Sequence, residues 1–565
     1  MFEKVVEWCA RRVGLMLVAA LVIAAVGVYS WRKSPIDAIP DLTDTQVIVW
    51  TEWMGRSPQL VEDQITYPLV TSFISAPKVK TVRGFSMFGM SFVYVIFEDG
   101  TDPYWARSRA LEYLANVGGK LPEGVKPTIG PDATGSGWIF EYVLVDRTGA
   151  HDLQELRAFQ DFHLRYALAS VPGVAEVASV GGHEKQYQIV LDPVRLASFG
   201  VSVSEVIEAA RASNGDVGGR VIEWAGREYV FRGRGYVTKK EDLADAVVKV
   251  GADGTPVRIG NVGRVEIGPE IRRGLLEWNG QGEAVGGIVV MRSGGNALDV
   301  IDAVKQRLKD LERSLPAGVE IEIAYDRSEL IRASVATLGT SLVEELIVVL
   351  LFIAVFLLHL RSALVAVVIL PLAVLASFIM TRAAGVSLNI MSLGGIIIAV
   401  GDMVDATVVL IENAHRKLEG SDPKRRVEII IDACKELARP IFASLLIIAV
   451  SFLPVFALEA QEGRLFSPLA YTKTFAMTAA AVLSVTVGPA LMVLCIRGRI
   501  RPECANPINR AAVALYRPVL RLCLRFRVPV LLLAVALVGS TIWPMRRIGS
   551  EFMPPLDEGA FLYMP

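Results

Sequence analysis

The chain has 565 residues, of which 52% are hydrophobic and 21% charged, and its formal net charge is −1. A mean hydropathy of +0.44 is unusual for a soluble protein of this length and indicates an integral membrane protein. The sequence has neither a basic groove nor a series of aromatic residues, so nucleic acid is excluded as a partner.

Seven stretches are long and apolar enough to cross about 30 Å of hydrocarbon. They are predicted at residues 14–31, 337–359, 363–383, 388–411, 439–459, 468–494 and 528–546. The first follows basic residues, as a signal peptide does. Its length, and the lack of a small-x-small cleavage site before Trp31, favour an uncleaved anchor over a signal peptide.

Lysine and arginine residues concentrate in two loops, 415–439 after the fourth span and 497–527 after the sixth. The positive-inside rule therefore places both loops and the N-terminus in the cytoplasm. Residues 33–336 and 547–565 then lie on the other side of the membrane. Two arginines in the short outer loops are exceptions to the rule: Arg382 and Arg464.

The long segment 33–336 shows alternating strand and helix patterns, which indicate folded domains rather than a linker. It begins with the order strand, helix, hairpin, helix, which is the start of a ferredoxin-like unit. These elements are predicted at 47–53, 58–74, 79–98 and 102–121. A second unit is predicted from strand 138–145, helix 153–168, strand 184–191, strand 284–291, helix 297–315 and strand 319–324.

An inserted domain interrupts the second unit, with a helix at 203–212 and glycine-rich strands such as 226–235. The expected organisation is an α+β membrane protein. Its predicted parts are a cytoplasmic N-terminus with the first span (1–32), a first periplasmic subdomain (33–133), a second one (134–180 and 275–336), the inserted domain (181–274), spans two to six (337–496), a basic cytoplasmic loop (497–527), span seven (528–546) and a final segment (547–565).

A short motif occurs twice, once after the first span and once after the seventh. Residues 37–44 and 551–558 both read acid-x-x-Pro-x-Leu-x-acid, and each precedes an apolar strand pattern. Repeats of this kind are common in transporters that are built from two halves. The sequence therefore predicts that span seven opens a second copy of spans one to six, and that the chain is the front half of a longer one.

The fourth span contains acids that a purely structural helix has no reason to bury. A carboxylate near the bilayer centre costs about 2.5–3.5 kcal/mol, so such residues usually face a bundle interior and serve a function. Asp402 and Asp405 stand three residues apart on one helical face, and Glu412 lies near the cytoplasmic end. One interpretation is a proton-binding site, with Asp405 the stronger candidate and Asp402 and Glu412 weaker ones. The alternative is structural acids paired with a polar neighbour on another span.

Small residues in the same span would let a neighbouring helix pack closely: Gly394, Gly395 and Gly401. The five cysteines offer no comparable site, because all lie outside residues 33–336 and none has metal-ligand spacing. A disulfide framework and a zinc pair of Cys495 with Cys504 are therefore disfavoured. The simplest interpretation of the cysteines is small apolar side chains.

Several motifs together resemble the inner-membrane subunit of heavy-metal efflux pumps of the resistance-nodulation-division superfamily. They are Gly-x-x-Val-Asp at 401–405 with Glu412-Asn413, Asn-Ile-Met-Ser-Leu-Gly-Gly at 389–395, Thr-Tyr-Pro at 66–68, Val-Arg-Gly-Phe-Ser at 82–86, Ile-Phe-Glu-Asp-Gly-Thr-Asp at 96–102 and Gly-Pro-Asp-Ala-Thr at 130–134. The resemblance covers essentially the whole chain. It is closest to copper and silver exporters through Val404-Asp405, residues 461–469 and Thr-Lys-Thr-Phe at 472–475.

The resemblance implies a transmembrane helix bundle with periplasmic ferredoxin-like porter subdomains and an inserted docking domain. It implies a secondary active transporter, a proton/metal antiporter, rather than an enzyme, with no cofactor and with Cu(I) or Ag(I) as cargo. Asp405 would be the first-half member of the proton relay, and its acid and lysine partners would lie on spans of a second half. The expected setting is a homotrimer in the bacterial inner membrane that meets a periplasmic adaptor and an outer-membrane channel.

The resemblance also implies a path of methionines, because soft thioether sulfur suits monovalent copper and silver. The implied metal ligands are Met391 and Met403 on span four, with Met477 and Met492 on span six. On a straight helix the last two would lie about 60° apart around the axis. The alternative is that these methionines only fill gaps in an apolar bundle.

Some positions depart from the copper branch: Ile271, Asp402 and Leu410. Zinc, cobalt and cadmium exporters usually have an acid where this chain has Ala399, which favours a monovalent metal. The central periplasmic metal site would fall beyond Pro565. Two alternatives stay open, a divalent-metal or drug exporter of the same superfamily and a truncated remnant that transports nothing. The sequence does not reveal the exact metal or the side from which it enters.

Overall fold

A computed structural model describes residues 2–251, 254–271, 274–357, 359–419, 421–497 and 506–549. The contacts divide the chain into two units. The first comprises Met1–Ile139, Met291–Ile301 and Asp326–Pro565, and the second comprises Phe140–Val290 and Asp302–Tyr325. The second copy of the acid-x-x-Pro motif, at 551–558, and Cys504 lie outside the described residues.

The first unit contains the membrane helices. Within the described ranges, six helices are long and apolar enough to cross a bilayer, and a bent pair makes a seventh span. The spans, which we number one to seven, are Val13–Lys33, Arg327–Leu357, Leu360–Ala383, Ile390–Leu418, Arg426–Ser451, the pair Ala460–Val485 and Val487–Cys495, and Arg527–Met545, which consists of the helices Arg527–Ser540 and Ile542–Met545. Span five begins well before the predicted residue 439, because the more polar residues 426–438 form the first turns of the same helix.

Two further helices flank the bundle in the described chain. Phe2–Arg11 precedes span one, and Pro507–Arg525 occupies most of what the sequence analysis treats as the basic cytoplasmic loop. Pro507 at the helix start and Asn506, which accepts a hydrogen bond from the Ile508 amide, explain where the second helix begins.

Glycine allows two pairs of spans to approach closely. A Cβ on Gly27 would lie 2.6 Å from Leu375 Cβ, so spans one and three touch there. A Cβ on Gly395 would lie 2.5 Å from the Leu469 carbonyl oxygen, so spans four and six touch as well. The expectation was wrong for Gly394, where an added Cβ meets no described atom within 4 Å.

Gly401 makes no close approach either, because a Cβ there would have only Glu345 Oε1 nearby, at an ordinary 3.7 Å. The sequence shows that all three glycines lie in span four, but the position of the neighbouring helix determines which of them is at a close contact.

The strands, numbered in chain order, are β1 Gln46–Glu52, β2 Val79–Met87, β3 Met90–Phe97, β4 Thr128–Ile129, β5 Trp138–Asp146, β6 Val174–Gly181, β7 Lys185–Leu191, β8 Val217–Trp224, β9 Arg227–Gly233, β10 Val247–Val250, β11 Pro256–Arg258, β12 Gly263–Pro269, β13 Val285–Met291 and β14 Val319–Asp326. They form two four-stranded sheets and three two-stranded ones within the described chain.

The first sheet has the order β2-β3-β1-β4. Its central strand β1 alternates buried and partly exposed residues, as a strand with one core-facing side does, and Val49 pairs with Val93 of β3. The helices Pro58–Phe73, which contains one wide turn at Glu62–Thr66, and Pro103–Val117 supply the other side of this core. The element order β-α-β-β-α-β and the strand order are those of a ferredoxin-like unit, as predicted.

The second sheet has the order β14-β5-β13-β6, which is the same topology with an insertion between β6 and β13. The predicted strand at 184–191 exists as β7, but its expected partner was wrong. β7 pairs with β12 of the inserted segment, and β6 takes the place in the sheet instead. Gly181 and Gly182, both with positive φ, turn the chain between β6 and β7.

The remaining α-helices described between spans one and two are Leu153–Phe159, which continues through the wide turn Gln160–Leu164 into Arg165–Ala169, then Pro193–Phe199, Val203–Ala212, Lys240–Ala244, Ile259–Val262 and Ala297–Leu311. The inserted segment has its own small core around Leu196, Val206 and Val262. The hairpin β8–β9, by contrast, is exposed at every residue.

Partners in the structure explain the two arginines that break the positive-inside rule. Arg464, at the start of span six, donates to the Leu42 carbonyl oxygen at 3.0 Å and to Asp44 Oδ1 at 2.9 Å, and it also pairs with Asp99. The Arg382 guanidinium lies 5.0 Å from the ring centroid of Tyr29. A local counter-charge or an aromatic face therefore compensates each positive group.

The contrast between two adjacent glycines gives a direct test of helix packing. We expect Gly395→Ala to lower the free energy of unfolding by about 1–3 kcal/mol, because the added methyl group meets the backbone of span six. Gly394→Ala is the matched control, and it should be neutral or stabilising by up to about 1 kcal/mol, since alanine favours helix. Thermal unfolding of the purified chain in detergent would measure both. Equal midpoints for the two variants would contradict the packing.

Candidate functional site

The beginning of span four is fixed by a reciprocal capping arrangement. Asn389 Oδ1 accepts from the Ser392 amide at 2.9 Å, and the Asn389 amide donates to Ser392 Oγ at 2.7 Å. Thr472 Oγ1 of span six donates to the Ser392 carbonyl oxygen at 2.7 Å. The Asn-Ile-Met-Ser motif thus sets where span four starts and holds that end against span six.

Asp402 lies two helical turns beyond Gly395, on the side where spans four and six meet. Its Oδ2 atom is 3.1 Å from Lys473 Nζ of span six. Lys473 is only 5% exposed, and its ammonium group also lies 3.9 Å from the ring centroid of Phe452. The carboxylate and the aromatic face together compensate a cation that hydrocarbon would not tolerate alone.

The contact between Asp402 and Lys473 is an ion pair rather than a directional hydrogen bond, since Oδ2 has no hydrogen-bond partner among the described residues. The sequence analysis quoted Lys473 only as part of a motif and missed its role. The available signal was a lysine inside an otherwise apolar span. The pairing agrees with the alternative interpretation for Asp402, a structural acid paired with a polar neighbour on another span.

Asp405 has a different environment, although it is one turn from Asp402. Its side chain is exposed, and it makes no ion pair or hydrogen bond within the part of the chain that the structure describes. It belongs to an exposed stripe of span four that also contains Ile398, Gly401, Val409 and Glu412. Spacings of three and four residues are typical of a helix face that packs on another helix.

Three of the four predicted methionines are buried in the bundle core. Met403, Met477 and Met492 are 1%, 0% and 0% exposed and belong to one apolar cluster, whereas Met391 is half-buried near the outer end of span four. The argument that Met477 and Met492 share one helical face was wrong. Span six bends by 52° between Val485 and Val487, so the two methionines lie on separate helices.

A polar chain that the sequence analysis missed lies at the end of the bundle where span three starts and spans four and six end. Ser362 Oγ hydrogen-bonds with His359 Nδ1 at 2.7 Å and with His415 Nε2 at 2.6 Å. His359 Nε2 is 3.0 Å from the Arg497 carbonyl oxygen. These contacts join the starts or ends of spans three, four and six. Within the described residues, no group of three or more His, Cys, Asp or Glu side chains is arranged to hold a metal ion.

A double-mutant cycle tests the pairing of Asp402 with Lys473. We expect Lys473→Met to lower the free energy of unfolding by about 1–3 kcal/mol, because it leaves a carboxylate without its counter-ion at a site that is only partly open to solvent. Asp402→Asn combined with Lys473→Met should recover part of that loss, so the two changes are not additive. Thermal or denaturant unfolding in detergent gives all four values.

Asp405→Asn combined with Lys473→Met is the matched control for this cycle, since Asp405 has no described partner. That combination should be additive. If the free-energy change of Lys473→Met were additive with that of Asp402→Asn as well as with that of Asp405→Asn, the ion pair would not form.

Relatives of known name span the chain almost completely. It is 52% identical to the cation efflux system protein CusA of Escherichia coli (strain K12) over 573 residues, which are 99% of this chain and 55% of CusA. It is 51% identical to the putative cation efflux system protein SilA of Salmonella typhimurium, again over 99% of this chain and 55% of SilA. The cobalt-zinc-cadmium resistance protein CzcA of Cupriavidus metallidurans is 36% identical, over 99% of this chain and 54% of CzcA. The chain thus spans about half the length of these curated relatives.

The fold agrees with solved structures. An X-ray crystal structure of a heavy metal efflux pump superposes with a TM-score of 0.85 at 31% identity and covers 98% of this chain and 53% of that one. A second crystal form gives a TM-score of 0.81 at 30% identity, over 95% of this chain and 51% of that one. The family model of the AcrB/AcrD/AcrF proteins matches residues 6–564. The chain therefore belongs to the AcrB/AcrD/AcrF family of resistance-nodulation-division transporters.

Proposed function

We propose that the chain forms part of an inner-membrane pump that exports heavy-metal cations, with Cu(I) and Ag(I) as its substrates and the proton gradient as its energy source. The observation that carries the proposal is the 52% identity with a cation efflux protein along 99% of the chain. The methionine-containing core and the unpaired acid of span four support it.

Asp405 is the proposed proton carrier. Its carboxylate is exposed on a face of span four whose other residues include Ile398 and Val409, so the ionised form would stand against hydrocarbon at a cost of about 2.5–3.5 kcal/mol. Protonation removes the charge, and a lysine on a helix packed against this face would stabilise the ionised form. Such a group can therefore alternate between two states as a proton enters and leaves.

Asp402 and Lys473 are proposed to form a fixed ion pair and not the proton carrier. The carboxylate of Asp402 lies 3.1 Å from the buried ammonium group of Lys473, so each charge has its counter-ion within the chain. The pair would hold spans four and six together while Asp405 changes its charge. Glu412 lies exposed at the cytoplasmic end of the same helix, where water can reach it, and has the weakest case as a relay member.

The substrate proposal rests on ligand softness. Thioether sulfur binds Cu(I) and Ag(I) well and holds zinc or cobalt poorly. Met403, Met477 and Met492 lie in the core of the bundle, and Met391 lies nearer its outer end, so together they offer sulfur donors along its length. The 36% identity with CzcA favours a divalent-metal exporter as the second candidate, but at lower similarity than CusA and SilA.

The proposed assembly is a homotrimer in the inner membrane that works with a periplasmic adaptor and an outer-membrane channel. The two ferredoxin-like units and the inserted segment between β6 and β13 are consistent with porter and docking subdomains on the periplasmic side.

The substrate proposal predicts a specific pattern of metal sensitivity. Deleting the complete coding region from its host should sensitise growth to copper and silver and leave growth on zinc or a cationic dye unchanged. Re-introduction of the gene should restore both resistances. Sensitivity to zinc alone would instead support the divalent-metal exporter, and sensitivity to the dye alone would support a drug exporter.

The proton proposal predicts that Asp405→Asn abolishes export, because the amide can neither bind nor release a proton. The variant should be made in the complete gene, and metal-loaded vesicles with an imposed pH gradient would measure transport. Membrane insertion, followed by immunoblot of the membrane fraction, should be unchanged.

Glu419→Gln is the matched control, since Glu419 is an exposed carboxylate immediately after span four. It should transport as the unmodified protein does. Retained transport in Asp405→Asn would remove Asp405 from the proton pathway.

A further inference from the structure

Two sulfur atoms from different spans meet in the core of the bundle. Cys434 Sγ of span five lies 3.7 Å from Met492 Sδ of the short second helix of span six. Cys434 is 1% exposed and Met492 is 0% exposed, so neither sulfur contacts solvent. The contact has the geometry of a thiol that donates its hydrogen to a thioether. The thiol proton therefore occupies the space between two soft donors, which is where a metal ion would bind.

The distance between the sulfurs suits a bridging metal ion. A metal–thiolate bond is roughly 2.3 Å long, so two such bonds span at most roughly 4.6 Å when they are collinear. A separation of 3.7 Å corresponds to a bent arrangement, and an opening of less than about 1 Å reaches the linear one. Side-chain rotation of an unbranched methionine accommodates a change of this size.

Charge selects the kind of ion. A Cys434 thiolate and a monovalent cation form a neutral unit, whereas a divalent cation would leave a net positive charge in an apolar core at a large desolvation cost. Both residues belong to the cluster of apolar side chains that fills the bundle. Within the described residues, no group of three or more His, Cys, Asp or Glu side chains is placed to hold a divalent ion.

We propose that Cys434 and Met492 form a two-sulfur binding site for Cu(I) or Ag(I). As a detail of the transported ion's path the site rests on the proposed function, although binding itself can be measured without transport. Met492 lies one helical turn before the end of span six at Cys495, so the site is on the side of the membrane that carries the basic loop.

Binding exchanges one proton for one metal ion. The S–H bond of Cys434 breaks, a sulfur–metal bond forms, Met492 donates a lone pair to the same ion, and the proton passes to solvent. No group is oxidised or reduced.

The test is a titration of the purified chain in detergent with Ag(I) alone, and with Cu(I) under reducing anaerobic conditions against a competing chelator. The unmodified chain should bind one more equivalent of Ag(I) than Cys434→Ser and release one more proton. Met492→Leu should weaken binding of that equivalent about 10-fold or more. Zn(II) should not displace it.

Two control variants distinguish this site from the other sulfur atoms of the chain. Cys523 lies in the helix Pro507–Arg525 and Met545 is 76% exposed, so neither Cys523→Ser nor Met545→Leu should change the number of Ag(I) ions bound. Cys434→Ala serves as a second removal of the thiol, and thermal unfolding of the metal-free variants shows that they are folded. Equal Ag(I) binding and proton release in folded Cys434→Ser and in the unmodified chain would overturn the proposal. Equal binding of Zn(II) through Cys434 would overturn its charge argument.

Resistance assays separate this proposal from the proposed function. If Cys434 binds Ag(I) but the intact gene confers no silver or copper resistance, the export proposal fails and the site stands. If resistance depends on the gene but Cys434→Ser binds as before, the export proposal stands and the site fails.

Discussion

The buried ammonium group of Lys473 needs a counter-charge, and the contact between spans four and six provides it. The carboxylate of Asp402 at 3.1 Å and the face of Phe452 at 3.9 Å provide that compensation. The ion pair requires spans four and six to be very close, which the missing side chain of Gly395 allows, whereas Phe452 directly follows span five. The capping of Asn389 and Ser392 then fixes the start of span four relative to these contacts. A small residue, a helix cap and an ion pair thus act together in one interface.

The segment between spans one and two contains the same four-stranded topology twice. Each four-stranded sheet has one face covered by two helices, and each places the first and third strands of its unit in the centre. The second unit tolerates the inserted segment because the insertion enters and leaves between β6 and β13, which are neighbours in the sheet. The ends of the insertion are therefore close together without distorting the ladder, as is usual where domains are inserted.

The sequence predicts what depends on short-range pattern. Hydropathy located the spans, alternation located β1, and a continuous apolar run located the fully buried β13, because each of these signals lies within one element. It could not show that β6 rather than β7 completes the second sheet, since only long-range pairing decides which strand joins it. It also could not show the bend at Thr486, which made the argument for Met477 and Met492 wrong. The partners of Asp402 and Cys434 lie 71 and 58 positions away, at contacts that only packing creates.

Span six carries Arg464, Lys473 and Met477 on one helix. Arg464 is bound to the segment after span one and to Asp99, while Lys473 is bound to span four. At 1.5 Å per residue the two cations are about 14 Å apart along the axis. A turn of this helix by a single residue, about 100°, would pull both cations off their acids together. Arg464 and Lys473 therefore hold span six at two points along its length, and a rotation of the helix would break both sets of ion pairs.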